Sequence, residues 1–327
     1  MAERINCRLI LTNHKKNFRR QKATIQYRLK VTLKMILYFY KFNIYEILTL
    51  MLEVKRGLEF SVVKASTSEP TAIKNKFYGV TGDFIFDEFR TGVFREDHFS
   101  ELITSPELID PRGTFLDIGA NYGGHSLLLA KLFPLAKILS FEASSKIFPL
   151  LQLNTFKMNN IECFYHAISS TTADILTLDS VDYGVLHNSG APSARVRTGI
   201  NTCVSLRIDD LEITDLVFIK IDIQGGELRA LEGLVESINR SKPLIFIEIE
   251  EISLRKNQTC SEDVLRFLLN LNYNVYRINT KHPIDHIAIY DDSKLNLIKM
   301  KYDLTKVPRD FKSLSFKHSI YYDDFLS

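Results

Sequence analysis

From Thr114 onward, short apolar runs alternate with longer amphipathic ones. The runs Thr114–Ile118 (TFLDI), Lys137–Glu142 (KILSFE), Cys163–Ile168, Val217–Ile223 (VFIKIDI), Leu244–Ile249 (LIFIEI) and Asn274–Ile278 read as strands, and Leu295–Met300 as a candidate seventh. Helical spacing of apolar residues fills the gaps at His125–Phe133, Ser145–Asn159, Gly226–Val235 and Ser261–Leu271. Strands that alternate with helices predict a parallel sheet wound on both sides. Strands that are apolar almost throughout suit a sheet buried on both faces. The expected fold is therefore α/β, a Rossmann-like, doubly wound, mostly parallel seven-stranded sheet. Ahead of it, residues 61–112 read as short strands and turns followed by a short helix at Glu96–Ile103, with Phe84–Phe89 alternating and Thr91-Gly92 as punctuation. The expected partition is 1–60, a basic, helical extension; 61–112, the lead-in; 113–300, the ligand-binding domain; and 301–327, a tail.

Charge sharpens that partition. Residues 1–60 hold 13 lysines and arginines against 4 acids, whereas the remainder is mildly acidic, although the whole chain nets only +3. A basic front admits contact with an anionic membrane surface; no specific nucleic acid is expected. The segment Met35–Leu52 (MILYFYKFNIYEILTLML) is apolar but interrupted by Lys41, Asn43 and Glu46. It is short for a spanning helix, so an amphipathic or core-packed helix ranks ahead of a membrane anchor. It lacks a small-residue cleavage site, and the chain is expected to be cytoplasmic, with membrane association through this segment as the variant. Cys7, Cys163, Cys203 and Cys260 are widely spaced, which excludes a compact zinc motif and a dense disulfide framework.

Chemistry concentrates at strand ends. Asp117-Ile-Gly119-Ala-Asn121-Tyr-Gly123-Gly124 joins the first strand to its helix, at the sheet edge where open α/β folds bind ligands. Glycines there let backbone approach a ligand, and Asp117 supplies a carboxylate able to accept from an ammonium group. A dinucleotide loop is G-x-G-x-x-G, but here the frame is Gly119-x-Asn121-x-x-Gly124, and a side chain at the middle position obstructs pyrophosphate. That favours S-adenosylmethionine, which has none, over NAD. Glu142 ends the second strand 23 residues after Gly119, the spacing of an acid that accepts from ribose hydroxyls. His166-Ala167-Ile168-Ser169 ends the third strand near the expected adenine position, where small Ala167 leaves room. Lys220-Ile-Asp222-Ile-Gln224-Gly-Gly-Glu227 is again strand, turn, helix. Asp222 falls at the tip of the central strand, Lys220 shares its face by period two, and Glu227 sits in a helix's first turn, where the dipole favours an acid.

The ordered set FLDIGANYGGHSLLLA, SFEASS, IDDL (Ile208–Leu211), FIKIDIQGGELRALEGL and PLIFIEIEE resembles the FkbM-type methyltransferases over residues 114–251. Asp222 and Glu227 match the family pattern; Gln224 stands where it usually has Glu. The resemblance implies a class I S-adenosylmethionine-dependent fold and usually O-methylation, with sugar hydroxyls and polyketide products among family substrates. The expected reaction is in-line transfer of a methyl group from S-adenosyl-L-methionine to a hydroxyl of a small-molecule or glycan acceptor. Cofactor binding is expected from Asp117, Gly119, Asn121, Gly123, Glu142, Ala167 and Asp222.

Transfer to an alcohol releases a proton, so a base helps. The candidates are Asp222, His125 just past the glycine loop, and His187 in the polar loop Asp182–Arg197 together with Asn188. Glu248, Glu250 and Glu251 could join Asp222 around a hard cation, but no compact ligand motif supports one, and no metal is expected. Two other readings remain: a non-catalytic Rossmann-like binding or scaffold protein, and an NAD-dependent enzyme, which Asn121 disfavours.

Overall fold

The computed structural model describes residues 108–178, 202–280, 284–299 and 302–309, together with 77–79, 83, 85–86, 99, 102–103 and 194–195. The basic front, Met35–Leu52, His187, Asn188 and residues 310–327 lie outside the described residues. Twelve strands are described: β1 Thr114–Ile118, β2 Lys137–Glu142, β3 Ile161–Tyr165, β4 Ala167–Ile168, β5 Ile175–Leu178, β6 Ala194–Arg195, β7 Thr202–Leu206, β8 Leu216–Ile221, β9 Leu244–Glu248, β10 Asn274–Ile278, β11 Asp285–Ile289 and β12 Leu304–Lys306. The α-helices are α1 Gly124–Leu132, α2 Phe148–Thr155, α3 Glu227–Glu232, α4 Val235–Ser241, α5 Glu251–Lys256, α6 Ser261–Asn270 and α7 Leu295–Lys299.

Eight strands form the main sheet in the order β12-β10-β11-β9-β8-β1-β2-β3. β9, β8, β1, β2 and β3 run parallel, whereas β11 is antiparallel to both its neighbours. Alternate side chains feed two cores, as the period of two demands. Leu116, Ile118, Ile219, Ile221, Ile245 and Ile247 pack with Leu231 of α3, Ile238 of α4 and Leu268 of α6. Phe115, Ile138, Phe218 and Phe246 belong to the opposite core, with Leu129 of α1, Ile298 of α7 and Phe99. The expected α/β, doubly wound, mostly parallel sheet is therefore observed, with eight strands rather than seven.

Five local readings are corrected. Leu295–Lys299 is helix α7, because Leu295 and Ile298 bury at a spacing of three, and the preceding turn is capped by Asp291, whose side chain accepts from the Ser293 amide. The missing strand is β11 (DHIAI), whose polar Asp285 and His286 are buried and so hid its character. The run Cys163–Ile168 breaks at His166: β3 stays in the main sheet, and β4 starts a second, four-stranded sheet in the order β4-β7-β5-β6. The helix read at Gly226–Val235 divides into α3 and α4 around Gly233, where a Cβ would lie 2.1 Å from the Ser169 carbonyl oxygen. In the lead-in, Ile85 and Phe86 are helical rather than extended, while Phe99, Leu102 and Ile103 are helical as expected. Among the described residues, no helix is long and apolar enough to cross a membrane.

Candidate active site

β1 lies between β2 and β8, so the chain leaves the middle of the sheet in both directions and opens a crevice at its carboxyl edge. The turn after β1 closes tightly. Gly119 has φ 84°, and a Cβ on it would lie 1.8 Å from the Asp222 carbonyl oxygen. Only glycine combines that conformation with that approach. The Gly119 and Ala120 amides donate to the Phe141 carbonyl at 3.0 and 2.9 Å, and the Asp222 amide donates to Ile118 at 3.0 Å. The loop is thereby stitched to the tips of both neighbouring strands.

The crevice is a cleft open to solvent. Gly119 and Asn121 form one wall, and Glu142, Ala143 and Ser144 another. His166 and Ala167 also line it, with Leu176 and Leu178 of the second sheet, and Asp222, Ile223, Gly226 and Arg229 complete it. Five expected cofactor residues, Gly119, Asn121, Glu142, Ala167 and Asp222, thus line one cleft. Gly123 does not; its φ of 89° turns the chain, and a Cβ there would lie 2.8 Å from Leu151 of α2. Asp117 does not either, being fully buried on the α1 side of the sheet.

Glu142 ends β2 with both carboxylate oxygens engaged by backbone: the Asn121 amide donates at 2.9 Å and the Ser144 amide at 2.7 Å. Burial pushes its carboxyl up to about 7, and the amide donors offset only part of that rise. Asp222 differs. Burial acts on it in the same direction, but the Lys220 ammonium, with hydrogen bonds from its neighbours, overrides it and holds the carboxyl well below the usual range.

Beneath the cleft runs a buried polar row set by strand register, in which Asp117 pairs with Ser140 on β2 and Lys220 on β8. Ser140 Oγ donates to Ser126 Oγ at 2.8 Å, and Ser126 Oγ donates to Asp117 Oδ2 at 2.5 Å. Lys220, 1% exposed, places Nζ 3.9 Å from Asp117 Oδ1 and 3.2 Å from Asp222 Oδ2. A lysine inside an apolar strand is tolerable only with such partners. Gln224, with φ 55°, donates Nε2 to Asp222 Oδ1 at 3.1 Å and to Glu248 Oε2 at 3.0 Å.

Glu227 is buried, and its Oε1 accepts from the Ile223 and Gly225 amides at 3.3 and 3.0 Å. Burial raises its carboxyl to about 7 despite those bonds. Its side chain shapes the turn that carries Ile223 and Gly226 into the cleft. His125 packs edge-on against Phe99, ring centroids 4.4 Å apart, and is not part of the cleft wall. His187 lies outside the described residues. Glu250 accepts from Ser253, and Glu251 from Arg255 and Ser261, so both serve the start of α5 and α6. Among the described residues, no group of three or more His, Cys, Asp or Glu is placed to hold a metal ion.

Sequence reasoning missed Arg229, Leu176 and Leu178. Arg229 follows Gly226 by three positions, a helical spacing that could have marked it. The two leucines are signalled only by alternation within β5, and their place in the cleft depends on a second sheet that no local pattern announces.

Residues 117–275 match the family profile described as the methyltransferase FkbM domain. No curated protein sequence matches the chain. Among solved structures, methyltransferase FkbM from Methylobacillus flagellatus KT is 19% identical, the match covering 55% of this chain and 44% of that one, with a TM-score of 0.40. This chain therefore spans less than half of that protein. Precorrin-6y C5,15-methyltransferase from Geobacter metallireducens GS-15 is 17% identical over 61% of this chain and 89% of its own, with a TM-score of 0.34. A TehB-like SAM-dependent methyltransferase from Corynebacterium glutamicum ATCC 13032 Kitasato is 11% identical over 58% and 85%, with a TM-score of 0.34.

Proposed function

We propose that this chain, which carries a methyltransferase FkbM domain, transfers a methyl group to a hydroxyl of a sugar or another small acceptor. Its cofactor is S-adenosyl-L-methionine, which supplies an electrophilic methyl group when bound. The observation that carries the reading is the single cleft that unites Gly119, Asn121, Glu142, Ala167 and Asp222 from four separate segments.

The residues present fit that cofactor. Glu142 stands at the end of the strand beside the glycine loop, where an ionised carboxylate accepts from ribose hydroxyls. Ala143 and Ala167, packed with Leu176 and Leu178, give the cleft an apolar patch suited to a purine ring. The Asn121 side chain stands where a pyrophosphate would need bare backbone, which disfavours NAD. Asp117 serves from behind: buried against Ser126 and Lys220, it holds the loop and the central strand together rather than touching ligand.

Asp222 faces the cleft with its side chain 25% exposed. Lys220 and Gln224 lower its proton affinity, so it orients an acceptor hydroxyl by accepting its hydrogen bond and does not store the proton at neutral pH. Much of the rate enhancement then rests on alignment of donor and acceptor, a contribution of up to roughly 7–11 kcal/mol in well-oriented systems.

Calorimetry on the full chain with S-adenosylmethionine, S-adenosylhomocysteine and NAD tests the reading. Micromolar binding of the first two without NAD is the expected result, followed by methylation of hydroxyl acceptors in a panel. Binding of NAD alone would overturn it. Cofactor binding without turnover on any acceptor would favour the scaffold reading.

A further inference from the structure

We infer that Lys220 sets how strongly the cleft distinguishes the cationic methyl donor from its neutral thioether product, by screening Asp222 from the sulfonium. The inference rests on the reading that the cleft holds S-adenosylmethionine.

Three charged groups meet under the cleft. Asp117 and Asp222 are anionic, and the ammonium of Lys220 lies 3.9 Å from the first and 3.2 Å from the second. Asp117 and Lys220 are sealed from solvent, at 0% and 1% exposed, while Asp222 borders the cleft. These three groups sum to one net negative charge beneath the ligand, where the two carboxylates without the lysine would sum to two; the Glu248 carboxylate adds to either sum alike. Gln224 contributes to the same balance. The two neutral N–H bonds of its amide bridge Asp222 and Glu248, itself a third carboxylate, where a Glu would add a fourth.

S-adenosylmethionine and S-adenosylhomocysteine share their adenosine and amino-acid ends. They differ by one methyl group and one positive charge at sulfur. The ratio of their affinities therefore isolates the field at the sulfonium from every contact they have in common. Charge interactions in a partly buried site are far stronger than in water, so one screened carboxylate is enough to move that ratio. The balance has a functional sense. The positive charge disappears on transfer, so a site that gripped it too tightly would stabilise the bound donor more than the transition state. Lys220 limits that grip from a position where it cannot touch the cofactor, which makes it a positioning residue and not a catalytic one.

Equilibrium binding of both ligands to the full chain at pH 8 tests the inference with no acceptor needed. The quantity read is the Kd for S-adenosylhomocysteine divided by that for S-adenosylmethionine. Lys220→Met should raise it about tenfold, a decade corresponding to ~1.4 kcal/mol. Gln224→Glu should move it the same way, and Asp222→Asn should lower it by a similar factor. Lys220→Arg, which keeps the charge, should hold the wild-type ratio. A ratio that ignores Lys220→Met and Asp222→Asn, or shifts alike in both, overturns the inference. Should Lys220→Met not fold, the opposite shifts of Asp222→Asn and Gln224→Glu decide. Failure of the wild-type chain to bind either ligand would instead overturn the methyltransferase reading.

Discussion

The two strands that flank β1 each end in an acid that lines the same cleft, yet the two acids behave oppositely. Glu142 on the β2 side receives two short backbone hydrogen bonds and is still pushed up to about 7. Asp222, just past β8, is also partly withdrawn from water, but the Lys220 ammonium 3.2 Å away holds its carboxyl well below the usual range. At Glu142 two neutral donors do not offset the desolvation; at Asp222 a neighbouring charge, with its hydrogen bonds, does. One side of the site is therefore tuned to titrate near neutrality and the other to stay charged. That division suits an acid that must accept from neutral hydroxyls and an acid that faces a cation.

The severest way to break the comparison is to destroy the turn that links both ends. Gly119→Arg places a side chain where even a Cβ would be 1.8 Å from the Asp222 carbonyl, at a φ that L residues rarely adopt. Loss of cofactor binding by at least about a hundredfold is expected, with backbone strain of order 1–3 kcal/mol or more added in thermal melts. Unchanged affinity would remove the loop from the site. Asp117→Ala ranks next. It takes away the Asp117 partner of the buried Lys220 ammonium, so a stability loss of about 3 kcal/mol is expected in denaturant titrations. Cofactor affinity should fall with it, because the loop and β8 lose their common anchor. Equal affinity in a folded Asp117→Ala protein would sink that account of its role.

A gentler test uses pH. If Glu142 accepts ribose hydroxyls only when ionised, S-adenosylmethionine affinity should climb about tenfold per pH unit below 7 and flatten above it. Glu142→Gln should bind more weakly at pH 8 and show little of that slope. The sign for the free protein is the reverse. A carboxyl raised from about 4.5 to about 7 binds more protons folded than unfolded, so its contribution is present at low pH and is lost as pH rises through that window. Glu227, raised to about 7 by the same cause, works in the same direction. Affinity that is flat from pH 5.5 to 8.5 in the wild type would refute the hydroxyl-accepting role.

Much of this arrangement was legible in the sequence, and what escaped has identifiable causes. β1, β2 and β10 were readable to the residue because each is a short apolar run bounded by a turn signal. That Glu142 and Asp222 stand at the cleft was readable because strand ends are where such sheets open their crevice. β11 was not, since a buried aspartate and histidine open it, and burial of polar groups depends on tertiary partners such as the Ile284 carbonyl, 2.8 Å from His286 Nδ1. Asp117 illustrates a subtler limit. Its place in the loop suggested a ligand contact; in the structure it is fully buried, accepts from Ser126, lies 3.9 Å from the Lys220 ammonium and does not line the cleft. The second sheet lies beyond local pattern altogether, because β4 and β7 pair across 38 positions.

The smallest expected effect is the most discriminating for Asp117. Ser126→Ala removes the hydroxyl that donates to Asp117 Oδ2 and accepts from Ser140, at the far end of the row from Lys220. A buried hydrogen bond to a charged acceptor contributes about 1.5–3 kcal/mol, and its loss leaves Ser140 without that acceptor as well. The deletion lies on the opposite side of the sheet edge from the cleft and leaves the Lys220–Asp222 pair intact. Stability should therefore fall by about 2 kcal/mol while cofactor affinity stays within about threefold of wild type. If Asp117 instead contacted ligand directly, freeing its Oδ2 would alter that contact, and affinity would change by more than stability does. Denaturant titration and calorimetry on the same preparation separate the two outcomes.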